Sequence, residues 1–472
     1  MKGKNQIELR TAKLAILGAG PKAAAIAAKA SVINALSARL GARFRFEVHI
    51  FDPKKPGANW RGRVGYTDGE QRLCTLIERD LGFPYASGMF ARLTAFSALT
   101  QENAESIQLQ DTGFDDRLGE ALLETGSSPV DVELHRRYSW GVFLTSKGKH
   151  SEWVDQGRKP PTHVEFADYI AWAIERSDAR HIPRRIERLT PVGGKWKVIA
   201  KSGNGRVREF EHYDGVIITG PGPARELAPG KTFGGRLLNS VNFWTQRGKV
   251  RALLRNDAAT IAVLGGGGTG AAILSWLARN GFEDRDITLV GNQATVYTRS
   301  ENWFENRLFS NEDLWSYLSD KNKRLFFQRI NRGVVWSNVM ADIEKLSTMR
   351  IIDGKASTIT QTSSNRLEVA ITGSPQFPSI DADLVIDATG FNAWHFFSLL
   401  PSSAKGPTTV EASERWKKRL REDLAWRRSK AWAFPRLHVP GLADQHGPGL
   451  GSLMSLGAMS ERILASHLPT LT

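Results

Sequence analysis

Among 472 residues there is a single cysteine, Cys74. One thiol excludes a disulfide framework and any zinc site built on several thiolates. It equally excludes the cysteine pair through which disulfide reductases pass electrons, and Cys74 reads as a small buried residue. Long apolar runs are missing too, since none approaches the roughly 18 residues needed to span a bilayer. The opening MKGKNQIELRTAK is polar and leads straight into a strand, without the apolar stretch of a secretory leader. The expectation is a cytoplasmic protein with no membrane span. Acidic excess is absent: 64 basic against 49 acidic residues leave a net charge of +15. That charge is spread along the chain. Its densest cluster, SERWKKRLREDLAWRR, interleaves Glu422 and Asp423 among cations from Arg415 to Arg428, the pattern of a solvated helix face rather than of a nucleic-acid groove.

What is present is an ordinary globular composition, 41% hydrophobic and 24% charged, on a chain too long for one small core. KLAIL (13–17) is a short apolar strand ending in GAGPKA, followed by the Ala-rich helix former AAAIAAKASVINAL and a second strand, EVHIFD (47–52). Strand, glycine turn, helix, strand is one βαβ unit. Residues 55–90 read as long functional loops and 94–135 as an irregular polar excursion. A helix follows at 163–177, then hairpin-like strands around 185–213, and the buried strand YDGVIITGPG (213–222). Residues 224–256 read as a connector. A second βαβ unit comprises TIAVL (260–264), GGGGTG (265–270), the helix AAILSWLARNG and the strand ITLVG (287–291). ADLVIDATGF (382–391) closes the series.

One glycine motif is weak evidence for a nucleotide, but two in the correct setting are specific. In the first, Gly18 permits the tight turn, Gly20 lets a pyrophosphate approach the backbone, and Ala23 allows close helix–strand packing. Asp52, at the end of the second strand, can accept ribose hydroxyls or merely shape the turn before Pro53. Gly265, Gly267 and Gly270 repeat the pattern, with Thr269 between them. After ITLVG the sequence reads NQATVYTRS, without the carboxylate that selects NAD, and Arg299 is the nearest cation for a 2′-phosphate. NADPH is therefore expected there. Together the motifs describe an α/β protein of two Rossmann-like dinucleotide-binding domains, an FAD domain split by an inserted NADPH domain. The expected boundaries are 1–250, 251–380 and 381–472, with the last segment returning to the flavin. Two polyanionic cofactors suit a positive field.

Longer stretches carry a family resemblance: GANW (57–60), YTDGEQRL, LGFPY (81–85), RYSW (137–140), EWVDQGRKPPTH (152–163), NWFENRLFSNEDLW (302–315), NRGVVW and GPGLGSLMSLG. Over most of its length the chain resembles the flavin-dependent N-hydroxylating monooxygenases of siderophore biosynthesis, the lysine and ornithine N-hydroxylases. Its branch looks like the mycobactin-type lysine N6-hydroxylases. The resemblance implies that NADPH reduces FAD, O2 adds to form a C4a-hydroperoxyflavin, and oxygen passes to an unprotonated primary amine, here the side-chain amine of L-lysine. A lysine amine has a pKa of about 10.4 in water, so its site must favour the free base by desolvation. By the same resemblance Asn306 contacts the amino-acid end of the substrate and helps order the nicotinamide pocket; as a bare residue type, Asn equally suits a helix cap. Gln71 lies against the flavin, Trp60 of GANW belongs to the cofactor site, and Thr389, Gly390 and Phe391 form the closing turn. Arg79 falls near a family lysine that grips the substrate carboxylate, a departure because a planar fork and a point charge bind carboxylates differently. Ser455 falls at the same substrate end. Residues 233–243, FGGRLLNSVNF, place Asn239 where Baeyer–Villiger-type monooxygenases have His, which argues against that chemistry.

Three alternatives stay open at this level. One is an NADPH oxidase or another flavin monooxygenase acting on ornithine, a diamine or a different nucleophile. A second is a basic flavoprotein that binds nucleic acid or protein without turnover, for which a complete second βαβ unit has no purpose. The third is that each glycine turn, taken singly, serves only the backbone. The favoured reading has an amine and O2 as partners, no metal, no nucleic acid, and possible self-association into a homo-oligomer.

Overall fold

The computed structural model describes residues 9–100, 128–298, 302–332, 335–426 and 434–469. The chain starts as β1 (Arg10–Leu17), α1 (Pro21–Arg39) and β2 (Phe44–Phe51). β1 and β2 are parallel, with Leu14 opposite Val48 and Leu17 opposite Phe51. α1 is Ala-rich because it is buried nearly all round: Ala23, Ala24, Ala25 and Ala28 have no exposed surface. Small side chains let it lie against the sheet on one side and against the helices Pro129–Tyr138, His163–Arg176 and Leu456–Ala465 on the others. A loop region leads through α2 (Met89–Thr100) to α3 (Pro129–Tyr138) and α4 (His163–Arg176). α4 begins where the sequence says it should, with a capping box of Thr162 and Glu165.

β3 (Arg180–Ile182) adds to the edge of β2. An antiparallel sheet of β4 (Arg184–Val192), β5 (Lys195–Ser202) and β6 (Val207–Tyr213) follows, and β7 (Gly215–Ile218) returns beside β1. β8 (Leu237–Asn239), β9 (Ile261–Leu264), α5 (Gly268–Arg279) and β10 (Ile287–Gly291) open the second unit. It continues through α6 (Trp303–Ser310), α7 (Ser337–Ile343), β11 (Arg350–Asp353), an antiparallel trio β12 (Lys355–Gln361), β13 (Leu367–Thr372) and β14 (Ser379–Ala382), and β15 (Leu384–Asp387). β16 (Arg436–His438) and α8 (Leu456–Ala465) complete the chain.

Two five-stranded parallel sheets result, ordered β16-β7-β1-β2-β3 and β11-β10-β9-β15-β8. Both are of the doubly wound kind, whose ligands sit beyond the carboxyl ends of the strands where the connection reverses. Several expectations need correction. Residues 224–256 are not a plain connector, because β8 pairs with β15 at the edge of the second sheet. The boundaries at 250/251 and 380/381 both cut that sheet, since β8 precedes one and β15 follows the other. The chain after β15 rejoins the first unit, through β16, α8 and the buried side chains of Phe396, Leu400, Leu420 and Trp426. The excursion at 94–135 is partly helical: α2 extends to Thr100, and α3 starts under the side-chain cap of Ser128, which accepts from Val130 N–H. Residues 101–127 lie outside the described residues. Cys74 is half-buried. No helix among the described residues is long and apolar enough to cross a membrane.

Candidate functional site: two crevices joined by one loop

The two glycine turns have one geometry. Gly18 has φ +98° and donates its N–H to Phe51 O at 2.9 Å; Gly265 has φ +108° and donates to Val290 O at 2.7 Å. Both backbones sit in the left-handed region that glycine alone adopts freely. A Cβ at Gly265 would lie 2.5 Å from Ala388 O, and one at Gly270 would lie 2.0 Å from Gly265 O. Those positions are glycine because backbone occupies the space. Gly20 and Gly267 are glycine for another reason. They are the N-caps of α1 and α5, no side chain caps either helix, and an added Cβ would meet nothing within 4 Å. Open space over an uncapped helix N-terminus is what a pyrophosphate requires.

The first crevice is lined by Gly18, Gly20, Asp52, Trp60, Tyr66 and Thr219, among others. Asp52 shapes the turn and lines the crevice. Its Oδ1 accepts Lys54 N–H at 2.9 Å and shapes the turn, and its Oδ2 accepts Ala19 N–H at 3.0 Å, which aims the carboxylate along the crevice. Trp60 packs edge-on against His163 and Phe166 with ring centroids 4.9 and 5.5 Å away. Burial depresses the His163 imidazole to about pKa 4 against the opposing pull of Asp68, so the ring is neutral there. Lys22, within GAGPKA, also lines this crevice, and burial pushes its ammonium down to about 8 although Asp444 works the other way. Sequence reasoning passed it over; the available signal was a lone cation inside the first glycine turn. Tyr66 is pushed up to about 12 by burial and by Asp52. These residues fit an FAD.

The second crevice is a cavity of about 980 Å³ crossing the carboxyl ends of the second sheet, from Lys355 past Gly291 and Gly265 to Thr389 and Asn392. The volume, the glycine cradle and the cations Lys355 and Arg225 on its wall fit an NADPH. Thr269 stands half-buried in the first turn of α5, beside the cradle. Arg299 lies outside the described residues. Thr389 belongs to this crevice, not to the first, because β15 lies against β9, and Gly390 follows it in the same turn. The Thr389 hydroxyl donates to Asp387 at 2.6 Å, which stiffens the turn. Asn239 ends β8 by accepting from the N–H groups of Val241 and Asn242 and donating to Glu226.

One loop walls both crevices. Residues 219–221 face the first, and Pro223, Ala224, Arg225 and Glu226 face the second. The loop is pinned to the 390–392 turn by Arg225 N–H to Gly390 O at 2.9 Å and Asn392 N–H to Pro223 O at 2.9 Å. Phe391 then reaches Tyr66 of the first crevice, centroid to centroid 5.1 Å.

Arg79 and Ser455, 376 positions apart (455 minus 79), meet at the turn 453–455, and Asn306 shares the helix to which Ser455 bonds. Leu453 lines the first crevice. Arg79 points Nη1 at Met454 O, 3.4 Å away, with its guanidinium over the Phe83 ring. Ser455 is 1% exposed and its hydroxyl donates to Phe309 O, so it fastens α6 to the turn. Asn306 is one turn earlier on α6. The cap of that helix is Asn302, which accepts Glu305 N–H at 2.9 Å. Asn306 Oδ1 is buried without a protein partner, an acceptor that needs a donor from elsewhere. Gln71 is also buried, but its Nε2 donates to Ala272 O on α5 at 2.9 Å. In the structure it bridges the two units.

The comparisons with known proteins agree with this geometry. Residues 132–393 match the family model described as L-lysine 6-monooxygenase/L-ornithine 5-monooxygenase. The L-lysine N6-monooxygenase MbtG of Mycobacterium tuberculosis is 31% identical over 97% of this chain and 96% of that protein. The solved lysine monooxygenase NbtG of Nocardia farcinica superimposes with TM-score 0.71 at 27% identity, over 96% of this chain and 99% of that one. An ornithine N-hydroxylase of Kutzneria sp. 744, at 16% identity and TM-score 0.67 over 97% and 99% of the two chains, has the same fold. The chain belongs to the L-lysine 6-monooxygenase/L-ornithine 5-monooxygenase family.

Proposed function

We propose that this enzyme hydroxylates the side-chain amine of L-lysine at the expense of NADPH and O2, with FAD in the first crevice and NADPH in the second. Its cofactors are FAD and NADPH, and its reaction class is N-hydroxylation. The observation that carries the reading is the shared loop 219–226, whose residues 219–221 line the first crevice and whose residues 223–226 line the second. Bound flavin supplies the activation of oxygen. The chain's own residues bind, orient and desolvate. Asn306 offers its unpartnered Oδ1 to an α-ammonium donor and Arg79 offers its guanidinium to the carboxylate, while Ser455 holds α6 at the turn beside the flavin crevice. An amino acid gripped at that end extends its far amine toward Leu453, where loss of water favours the uncharged form. A cytoplasmic location suits the reading, because NADPH is regenerated there. The relatives' names favour lysine over ornithine.

The test is hydroxylamine formation across lysine, ornithine and cadaverine, with wild type and Asn306→Ala. Loss of a hydrogen bond to a charged group costs about 1.5–3 kcal/mol, or roughly ten- to a hundredfold in affinity. The variant should raise the KM for lysine by that factor while NADPH still reduces the flavin, and it should release more hydrogen peroxide. Cadaverine lacks the carboxylate. If wild type hydroxylates it as efficiently as lysine, the clamp is wrong.

A further inference from the structure

We infer that the Asp68–Arg279 pair is a positioning latch that sets the angle at which the NADPH unit meets the flavin unit, and thereby the rate of flavin reduction. The inference rests on the assignment of NADPH to the second crevice and deepens it.

α5 begins at the second glycine cradle and ends at Arg279. Twelve residues of α-helix are a rod of about 18 Å, so a small pivot at its C-terminus displaces the cradle at the other end. The rod is gripped at two places, both by residues of the flavin unit. Gln71 donates to Ala272 O at 2.9 Å in the first half. At the last residue, the Arg279 guanidinium meets Asp68 through Nη2 and Glu70 through Nη1, the latter at 3.0 Å. Its remaining arm, Nε, stays within its own unit on Asp342 of α7 at 3.1 Å. The units are also joined at the loop 219–226 and at Ser455, but two grips two turns apart are what define the direction of α5 itself.

Both grips come from the segment 68–71, and Asp68 shapes that segment. Its Oδ1 accepts the N–H groups of Glu70 at 2.9 Å and Gln71 at 3.1 Å, while Oδ2 takes Arg279. The segment is anchored beneath by Thr67, which bonds Gly69 N–H at 2.8 Å and the His163 ring at 2.8 Å, and by His163 N–H to Gln71 O at 2.7 Å. Gly69 holds φ +87°, and a Cβ there would press on Val164 at 2.8 Å and on the Arg61 backbone. A rigid, fully bonded hook on one unit therefore seizes a rigid helix of the other. Asp68 side-chain exposure is 1% and that of Arg279 is 23%, so the carboxylate is desolvated and its partner half-buried, and their geometry matters more than in a surface ion pair.

Asp68→Asn separates the two jobs of that carboxylate. The amide oxygen keeps the loop bonds and the amide nitrogen faces Arg279, where donor meets donor. Holoenzymes are mixed anaerobically with NADPH, and the limiting rate of flavin bleaching is recorded against NADPH concentration. Each enzyme is then reduced with dithionite and mixed with O2. Misplacement of reacting atoms by about 1 Å can cost on the order of a hundredfold. The expected result for Asp68→Asn is a limiting reduction rate lowered at least about tenfold, with NADPH half-saturation, FAD content and reoxidation of the dithionite-reduced enzyme unchanged. Arg279→Lys, which keeps the charge without the fork, should fall in between. Reduction at the wild-type rate in Asp68→Asn overturns the latch, as does a fall in reduction and reoxidation together. A wild-type enzyme that NADPH does not reduce overturns the cofactor assignment instead, before any variant is compared.

Discussion

Replacing Gly20 with valine should produce a well-folded protein that has lost its flavin. Gly20 has φ −97° and ψ −168°, an extended conformation open to any L-residue. Its added Cβ meets no protein atom within 4 Å, so the apoprotein has no steric reason to unfold. Loss of glycine entropy from the unfolded chain should stabilise it by about 0.4–1 kcal/mol. The space that valine takes is the space over the N-terminus of α1, where a pyrophosphate must come. Forfeiting two hydrogen bonds to a charged phosphate, at about 1.5–3 kcal/mol each, removes about 3–6 kcal/mol of binding. That weakens affinity on the order of a hundred- to ten-thousandfold. The assay compares flavin absorbance per mole of purified protein with the thermal midpoint of apoprotein prepared from wild type and variant. Colourless protein with an apo midpoint at or slightly above wild type is expected. Full yellow colour in Gly20→Val would refute the cradle, and a lowered apo midpoint would refute the claim that the space is open.

Gly270→Ala should do the reverse, since its Cβ would lie 2.0 Å from Gly265 O; overpacking should cost about 1–3 kcal/mol of stability in denaturant melts, and wild-type stability would show that the α5 turn can yield. Acid stability should depend on His163, whose neutral ring is held at about pKa 4 by burial. The unfolded state takes up its proton near pH 6.5, so stability is intact above that value and falls as pH drops from about 6.5 to 4; His163→Gln should flatten that part of the pH–stability curve, and an unchanged slope assigns the acid lability elsewhere. For cofactor choice, Arg299→Ala should lower the NADPH-to-NADH efficiency ratio. A ratio that falls instead in Lys355→Ala moves the 2′-phosphate contact to the cavity wall.

Both βαβ units were legible in the sequence because their signals are local. An apolar strand, a glycine whose φ must be positive, an uncapped helix start and a second strand occupy 42 consecutive residues (10–51) in one unit and 31 (261–291) in the other, and most of each part is dictated by near neighbours in the chain. The same holds for the Thr162–Glu165 capping box. The family could be read from long motifs for the same reason. Other features depend on partners far away in the chain. β8 has only three residues and no period of its own, and becomes a strand because β15 offers it a parallel edge. Whether Thr389 faces flavin or nicotinamide is decided by β15 pairing with β9, 123 positions earlier (384 minus 261). Gln71 carries no sign in sequence that its amide will seize a helix carbonyl 201 positions on. Asn306 becomes a candidate ligand only when folding buries its Oδ1 and leaves the capping task to Asn302. Two glycine-turn βαβ units and the family follow from the residues alone, since backbone geometry and motif length suffice for those. Tertiary structure alone decided which residues wall which crevice and how the two are joined, because parallel pairing and side-chain burial are set by long-range packing that no local pattern encodes.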